Sequence, residues 1–190
     1  LALLATAFLK SAWVSEDAYI SFRVIDNFIN GFGLTWNVAE RVQVYTNPLW
    51  VLLLSGFYSI TRDIFYTSIF VSMLVTILTA LIMAYKSAAS HASAVIALLV
   101  LVFSKAFIDY TSSGLETPLT FLLLVLFFWV FYKSELSPRT FFWLCLISSL
   151  GIVNRMDTSL LYAPALIYSF VMIPKKKAVT NGLAGFAPFI

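Results

Sequence analysis

Acidic side chains occupy three places at which an apolar run of this sequence meets a polar segment. Glu16 and Asp17 are adjacent. Farther along, Glu116 stands alone and Asp157 follows Arg155 by two residues. Carboxylates can accept the proton of a hydroxyl group or hold a cation, and a guanidinium can bind phosphate with two hydrogen bonds. Ionisable groups beside membrane segments are costly, so these three acidic patches are the candidates for a functional site.

The composition indicates a membrane protein. Hydrophobic residues make up 61% of the 190 residues and charged residues 11%, against roughly 45–50% and 25% in soluble domains. A globular core cannot account for this excess, because most residues of a small domain remain at the surface. The net charge of +3 is too small to indicate a nucleic-acid partner, and the single cysteine, Cys145, excludes a disulfide within one chain. We therefore predict an all-α, polytopic transmembrane protein.

Apolar runs that suit membrane helices follow one another along the chain. We predict helical segments at 1–14, 48–60, 64–85, 94–108, 118–132, 141–153 and 159–173. The segment 48–60 is short of the ~20 residues needed to span a bilayer of ~30 Å. Because the sequence opens within one apolar run and stops within another, we expect 1–190 to be a single transmembrane module in the N-terminal part of a larger protein.

The distribution of charge predicts the orientation of these segments. Lysine and arginine favour the cytoplasmic side, and the triplet 175–177 is the strongest marker. Counting back from it places the polar segments alternately, with 15–47, 109–117 and 154–158 outside and 86–93, 133–139 and 174–180 inside. This order requires that 48–60 does not fully cross the membrane. If 48–60 does cross, the count of membrane crossings shifts by one for every segment before it, and their inside or outside assignment changes.

The first outer loop, 15–62, is predicted to contain juxtamembrane helices, the first of which starts after Ser15 as its N-cap. At ~100° per residue, one face of this helix is apolar and consists of Ala18, Phe22, Ile25 and Ile29. The adjoining polar face consists of Tyr19, Arg23, Asp26 and Asn30. We expect this helix to lie on the membrane with its apolar side down. Asp17 then points into the protein, towards Ser21, whereas Glu16 points to the wetter side.

The same residues also have simpler interpretations. Carboxylates favour the start of a helix through the helix dipole, even without a catalytic role. Gly31 and Gly33 are expected to end the helix and form a turn. Aromatic residues expected at the membrane interface are Trp13, Trp36, Trp50 and Tyr45. A functional interpretation of the acids is favoured because two further outer loops, 109–117 and 154–158, also carry them.

Three sequence patterns resemble those of the GT-C membrane glycosyltransferases. The first is EDAYISFR at 16–23, followed by the turn NGFGL, the pair WN and the run YTNPLW at 45–50. The second is SGLETPL at 113–119, and the third is NRMD at 154–157. In this order they resemble the outer-loop motifs of the bacterial branch that includes the terminal arabinofuranosyltransferases of mycobacterial cell walls. The resemblance covers nearly the whole chain.

This resemblance implies an inverting glycosyltransferase that moves a sugar from a polyprenyl-phosphate carrier to an acceptor hydroxyl. Asp17 is then the preferred general base, since Glu16 replaces the aspartate often found first in the acidic pair. The substrate-binding residues implied are Arg23, Tyr45, Glu116, Arg155 and Asp157. Arg155 is the expected clamp for the lipid phosphate, with Lys105 and Arg23 as alternatives. Trp36 and Tyr45 are alternatives for lining a sugar site.

The implied partners are the polyprenyl-linked sugar donor, a glycan, lipid or protein acceptor and the lipid bilayer. The implied location is the bacterial plasma membrane, crossed several times, with the active site facing outward. A divalent cation is one possibility for a cofactor and a metal-independent reaction is the other. The lone histidine, His91, is expected to be solvated rather than a ligand.

Two other classes of protein compete with the enzyme. A transporter or lipid-linked sugar flippase should carry its charges in mid-helix, near the bilayer midplane. A structural assembly subunit has no reason to gather acids. In this sequence the acids lie at the ends of the apolar segments, and on the predicted topology eight of the nine are on one side. This asymmetry favours a catalytic site at the membrane surface.

Overall fold

The computed structural model describes residues 1–40 and 42–189, and these residues contain helices and no strand. The predicted all-α fold is therefore confirmed. In chain order the helices are α1 (Ala2–Ser11), α2 (Glu16–Ile29), α3 (Pro48–Thr61), α4 (Ile64–Ile82), α5 (His91–Phe103), α6 (Lys105–Thr111), α7 (Thr117–Lys133), α8 (Pro138–Asn154), α9 (Ser159–Met172) and α10 (Lys175–Gly185). A π-helical turn, Met83–Ser87, extends α4, and a 3-10 turn, Met156–Thr158, precedes α9.

The chain forms two compact units, Leu1–Leu119 and Thr120–Ile190. The first contains α1 to α6 and the start of α7, and the second contains the rest of α7 and α8 to α10. The expectation that 1–190 acts as a single transmembrane module stays a prediction.

In the described part of the chain, one helix is long and apolar enough to cross a membrane. Within the described residues it is the 24-residue stretch Ile64–Ser87, formed by α4 and its π-helical extension. A second span results if α5 and α6 act together, although the chain bends by 70° between them at Ser104. Ser104 accounts for this break, because its hydroxyl accepts a hydrogen bond from the Phe107 amide and so starts a new helix. Crossing by several helices stays a prediction.

Helix α3 covers the segment that was predicted to be too short to cross. It has 14 residues and follows Asn47, with Pro48 in its first turn. At 1.5 Å per residue it is about 21 Å long, which is less than the ~30 Å hydrocarbon thickness of a bilayer.

Helix α2 starts and ends where the sequence predicts. Ser15 is its N-cap residue, with an extended backbone, but the Ser15 side chain makes no capping hydrogen bond. Glu16 and Asp17 stand in the first turn. At the other end Gly31 has φ +86°, a left-handed conformation that few other residues adopt, and it turns the chain out of the helix. Gly33, at φ +85°, makes the next turn.

The apolar face of α2 is buried inside the protein, so the prediction that it faces the membrane is wrong. Ala18, Phe22 and Ile25 are at most 3% exposed. The helix packs against α3, whose Trp50, Val51 and Leu54 are also buried. The sequence pattern shows that one face of α2 is apolar, but it does not show whether lipid or a second helix covers that face.

Tyr58 joins the far ends of α2 and α3. Its hydroxyl donates a 2.6 Å hydrogen bond to the Asp26 carboxylate, which also accepts from the Asn30 amide at 3.0 Å. The hydrogen bond to Asp26 raises the pKa of Tyr58 above its ordinary value, and burial adds to the effect. Arg62, at φ +54°, donates to Asn30 at 3.3 Å. This network fixes the angle between the two helices.

Two loop predictions are corrected in the first unit. Asp109 does not lie in a loop, because Lys105–Thr111 forms α6 and Lys105 pairs with Asp109 one turn later. The polar connection between α6 and α7 is therefore limited to residues 112–116. The predicted inner loop 86–93 is also shorter, since α5 begins at His91.

The second unit has a core between α7, α8 and α9, made by Phe127, Leu144, Tyr162 and Ala165. The predicted turn before α8 is confirmed, with Pro138 as the first helical residue and the Ser137 hydroxyl accepting from the Thr140 amide. The segment 174–180 is corrected from a polar loop to the start of α10. This helix packs on α8, with Gly185 against Cys145 and Gly182 against Phe141.

We expect Tyr58→Phe to lower the free energy of unfolding by about 1–2 kcal/mol near neutral pH, because it removes a hydrogen bond to a carboxylate. Because folding raises the pKa of Tyr58, its hydrogen bond contributes fully to the free energy of unfolding below the unfolded-state pKa near 10. This contribution is lost as pH rises through the higher pKa of the folded state. The stability difference between wild type and Tyr58→Phe should therefore shrink above pH 10. Thermal unfolding in detergent micelles, followed by circular dichroism, measures both effects. Tyr66→Phe is the control, since Tyr66 is 70% exposed; an equal loss in both variants would contradict the assignment.

Candidate functional site

The turn between α6 and α7 lies directly against the first turns of α2. Its central residue, Gly114, has φ +79°. A Cβ atom at this position would stand 3.3 Å from the Ala18 Cβ, 3.3 Å from the Phe22 Cζ and 3.5 Å from the Val14 Cγ1. Glycine is thus required both by the left-handed backbone and by the close approach to α2.

Two hydrogen bonds fix this turn to the beginnings of α2 and α3. The Ser15 amide donates to the Ser113 carbonyl at 2.9 Å, which satisfies a backbone group beside the uncapped start of α2. The Trp50 indole N–H donates to the Gly114 carbonyl at 3.0 Å. Trp50 is fully buried, so the prediction that it is an interfacial aromatic is wrong. Its position is explained by its hydrogen bond inside the protein.

Asn47 connects α2 with the second acidic patch. Its amide group donates to the Glu116 Oε2 at 2.9 Å, and its Oδ1 accepts from the Ser21 hydroxyl at 3.4 Å. Asn47 and Ser21 are both 5% exposed, whereas Glu116 is half-buried. The structure therefore brings α2, the YTNPLW run and Glu116 together around one buried amide.

The end of α1 is bound to the same region. The Ser112 hydroxyl donates to the Ser11 carbonyl at 3.3 Å, and the Trp13 indole donates to the Asp109 carbonyl at 3.0 Å. Trp13 remains 47% exposed. Residues 11–15 are thus held on both sides before the chain enters α2.

Glu16 and Asp17 are both exposed. The prediction that Asp17 points into the protein is wrong, because the Asp17 side chain is exposed while its neighbour Ala18 is the residue of the first turn that is buried. Neither carboxylate has a hydrogen-bond or ion-pair partner in residues 1–40 and 42–189. Ser21, one turn after Asp17, is nevertheless buried and bonded to Asn47. Asp17 is therefore an exposed carboxylate one helical turn before Ser21, which is bonded through Asn47 to Glu116.

Arg23 binds the loop that follows α2. Its Nε donates to the Trp36 carbonyl at 3.0 Å, and its guanidinium carbon lies 4.7 Å from the centre of the Trp36 ring. The Asn27 amide donates to the carbonyls of Thr35 at 2.8 Å and Trp36 at 3.0 Å. These contacts give Arg23 a structural role, and its predicted role in substrate binding stays a prediction.

Two other predicted binding groups have modest contacts. Tyr45 is half-buried, two residues before Asn47, and its carbonyl accepts from Gln43 at 3.3 Å. Lys105 is an exposed side chain paired with Asp109, so its charge is already partly balanced. Of these two predicted binding residues, Tyr45 is the one that lies close in sequence to Asn47 and its hydrogen bonds.

The third acidic patch belongs to the second unit. The Arg155 Nε donates to both carboxylate oxygens of Asp157, at 3.0 and 3.1 Å, and both side chains are largely exposed. The preceding Asn154 is buried and donates to the Thr120 hydroxyl at 3.0 Å. Arg155 and Asp157 thus form a local ion pair at the end of α8. Their approach to Asp17 stays a prediction.

No metal-binding group was found in the described part of the chain. A set of three or more His, Cys, Asp or Glu side chains arranged to hold an ion does not occur there. His91 is exposed at the start of α5. Asn47, Ser21 and Gly114 were not among the predicted site residues. The sequence held a signal for two of them. Asn47 precedes Pro48 at the start of an apolar run, and Gly114 stands two residues before the acid Glu116.

Comparisons with protein-family models, with curated proteins and with solved structures found no match to this chain.

We expect Gly114→Ala to lower the free energy of unfolding by about 2–5 kcal/mol, about 1–2 from the left-handed backbone and about 1–3 from overpacking against α2. Gly31→Ala is the matched control, because Gly31 has a similar φ of +86° but no atom within 4 Å of an added Cβ. The difference in thermal stability between the two variants isolates the close approach. Equal losses would show that the contact with α2 contributes nothing.

Proposed function

We propose that this chain carries the carboxylate site of an inverting GT-C-type glycosyltransferase, with a polyprenyl-phosphate-linked sugar as donor. The acceptor is a hydroxyl group of a cell-envelope glycan, lipid or protein. The proposal rests on the order of the three sequence motifs together with one structural observation. That observation is the exposed pair Glu16–Asp17, which has no side-chain partner in residues 1–40 and 42–189 and lies on a helix start that is held from several sides.

A general base must reach the hydroxyl proton that it removes, and it must be held in place while it does so. Asp17 meets both needs, since its carboxylate is exposed while the backbone just before it is bonded to Ser113. Carboxylates that serve a structural purpose in this unit have partners, as Asp26 does with Tyr58. The absence of such a partner for Asp17 among the described residues supports a role towards a substrate.

Asp17 is favoured over Glu16 by what lies one helical turn later. Residues four apart on a helix share a face. On the face of Asp17 that residue is Ser21, which leads through Asn47 to Glu116. On the face of Glu16 it is Ile20, an exposed apolar side chain. A sugar hydroxyl bound between Asp17 and Glu116 would have polar groups on both sides.

The leaving group in such a reaction is a lipid phosphate, which needs positive charge rather than an acid. Arg23, which lies on α2 with Asp17, is the group we propose for this, since a guanidinium binds phosphate through two parallel hydrogen bonds. It is already oriented by Trp36. A single displacement assisted by one base inverts the anomeric centre. This reaction can proceed without a cofactor, and it is equally compatible with a divalent cation.

A membrane location is supported by the exposed apolar side chains of several helices. On α4, α5 and α9 these include Phe70, Leu74, Leu78, Ile96, Val100, Phe103, Leu160, Ile167 and Val171. The 24 residues of Ile64–Ser87 measure about 36 Å, enough to separate the two faces of a bilayer. We propose the plasma membrane of a bacterium, with α2 and α3 on its outer side.

The competing transporter or flippase is less well supported. Coupling ions and charged substrates are usually bound by ionisable or unwound segments near the bilayer midplane. Between Ile64 and Ile82, α4 has no Asp, Glu, Lys, Arg or His side chain and is continuously helical. The chemistry-bearing groups lie instead at the start of α2 and in the turn before α7.

We expect Asp17→Asn to reduce sugar transfer about 10²–10⁴-fold, the typical contribution of a general base, with little change in thermal stability. The substitution is nearly isosteric, and the exposed carboxylate has no partner to lose among the described residues. The assay measures transfer from a polyprenyl-phospho-sugar by the protein as it occurs in the cell, reconstituted in nanodiscs.

Glu16→Gln should reduce transfer less than Asp17→Asn, and Glu40→Gln is the matched control, since Glu40 is an exposed acid of the same loop. Near-normal turnover in Asp17→Asn would remove it as the base. Complete loss in Glu16→Gln alone would move the base to Glu16. Equal losses in all three variants would point to a general effect of charge on this loop.

The proposed orientation predicts that a cysteine at position 39 is labelled from outside the cell and one at position 90 is not. Ala39 and Ser90 are both exposed, so labelling reports the side of the membrane rather than burial. The variants Ala39→Cys and Ser90→Cys are made with Cys145→Ser, and a membrane-impermeant maleimide is applied to intact cells. Labelling of position 90 but not 39 would reverse the orientation.

A further inference from the structure

The second unit carries a cluster of positive charge at one end. We define this basic end by five exposed residues, namely Lys133, Arg139, Lys175, Lys176 and Lys177. Lys133 lies in the last turn of α7, and Arg139 in the first turn of α8, after a four-residue connection. The lysine triplet forms the first turn of α10.

The packing of α10 brings the triplet to the same end as Arg139. Gly182 lies against Phe141 and Gly185 against Cys145, so α10 and α8 run in the same direction side by side. A Cβ at Gly185 would stand 2.5 Å from the Cys145 Cβ, which shows how close the two helices are. Ala178 is fully buried in the same contact. The lysines are therefore held on a fixed helix rather than on a loose tail.

The arrangement of these lysines is electrostatically unfavourable without a counter-charge. Three cations occupy the first turn of α10, where the helix dipole favours negative charge. The N-cap residue is Pro174, which offers no side-chain acceptor. None of the five basic side chains forms an ion pair in the part of the chain that the structure describes, and Glu135 is the only acid between Lys133 and Arg139. An external anion would relieve this repulsion.

Aromatic side chains indicate where that anion comes from. Tyr132 is 74% exposed next to Lys133, and Trp143 is 45% exposed one turn after Arg139. Exposed Tyr and Trp beside Lys and Arg are typical of the depth at which lipid headgroups meet the acyl chains. A soluble phosphate needs no such aromatic border. We propose that the basic end binds the headgroups of anionic phospholipids in preference to zwitterionic ones.

This inference rests on the proposed membrane location but not on the proposed catalysis. In detergent micelles, added phosphatidylglycerol should raise the melting temperature of the wild-type chain, and phosphatidylcholine should not. The variant Lys175→Gln/Lys176→Gln/Lys177→Gln should lose about tenfold or more of the preference for phosphatidylglycerol, measured as the ratio of lipid concentrations that give half the shift. The preference of the wild type should also weaken with rising salt.

The control is Lys10→Gln/Lys86→Gln, which removes two exposed lysines of the first unit and should keep the preference. The variant Lys175→Arg/Lys176→Arg/Lys177→Arg should keep it as well, and it decides the matter if the glutamine triplet does not fold. Equal effects of both lipids, equal losses in the two glutamine variants, or a full shift with inorganic phosphate at matched ionic strength would each overturn the proposal. Sugar transfer tests catalysis independently.

Discussion

The candidate site depends on the close approach of Gly114 to the first turns of α2. This contact allows the Ser113 carbonyl to accept from Ser15 and the Gly114 carbonyl to accept from the buried Trp50 indole. A side chain at position 114 would push the turn away from Ala18 and Phe22. The start of α2, the start of α3 and Glu116 would then no longer share one network. The geometry around the carboxylates is thus set by the absence of a Cβ in a turn nearly a hundred residues later in the chain.

The acids of the first unit fall into two groups that differ in their hydrogen bonds. Asp26 accepts from Tyr58 and Asn30, and Glu116 accepts from Asn47, so these carboxylates hold elements together. Glu16 and Asp17 have no such partner among the described residues, although the helix that carries them is firmly packed. This combination suits the proposed general base. Such a base must be held in position by its backbone, and its carboxylate must be free of an ion pair so that it can accept a proton.

The sequence predicts local features of this chain better than tertiary ones. The ends of α2 and the start of α8 follow from Ser15, Gly31 and Pro138, because caps, left-handed glycines and first-turn prolines act over a few residues. The apolar face of α2 and the indole of Trp50 were misassigned, since an apolar residue looks the same whether lipid or α3 covers it. The inward direction expected for Asp17 failed because helical periodicity gives the angle of a side chain around the axis but not which angles the neighbouring elements cover, and here Ala18 is covered while Asp17 is not. Asn47 was overlooked because its importance comes from partners 26 and 69 residues away.

The first turns of α2 and α10 both carry exposed charged side chains, but the charges have opposite sign and interact oppositely with the helix dipole. In both helices a packed apolar or small-residue face fixes the first turn, while its charged side chains remain exposed. At α2 the charges are negative and the helix dipole favours them, which suits the proposed role of Asp17 as a base. At α10 the charges are positive and the dipole opposes them, so Lys175–Lys177 gain stability only when an anion approaches. The acidic first turn of α2 therefore suits the proposed transient binding of a substrate, whereas the basic first turn of α10 suits the proposed constant contact with anionic lipid headgroups.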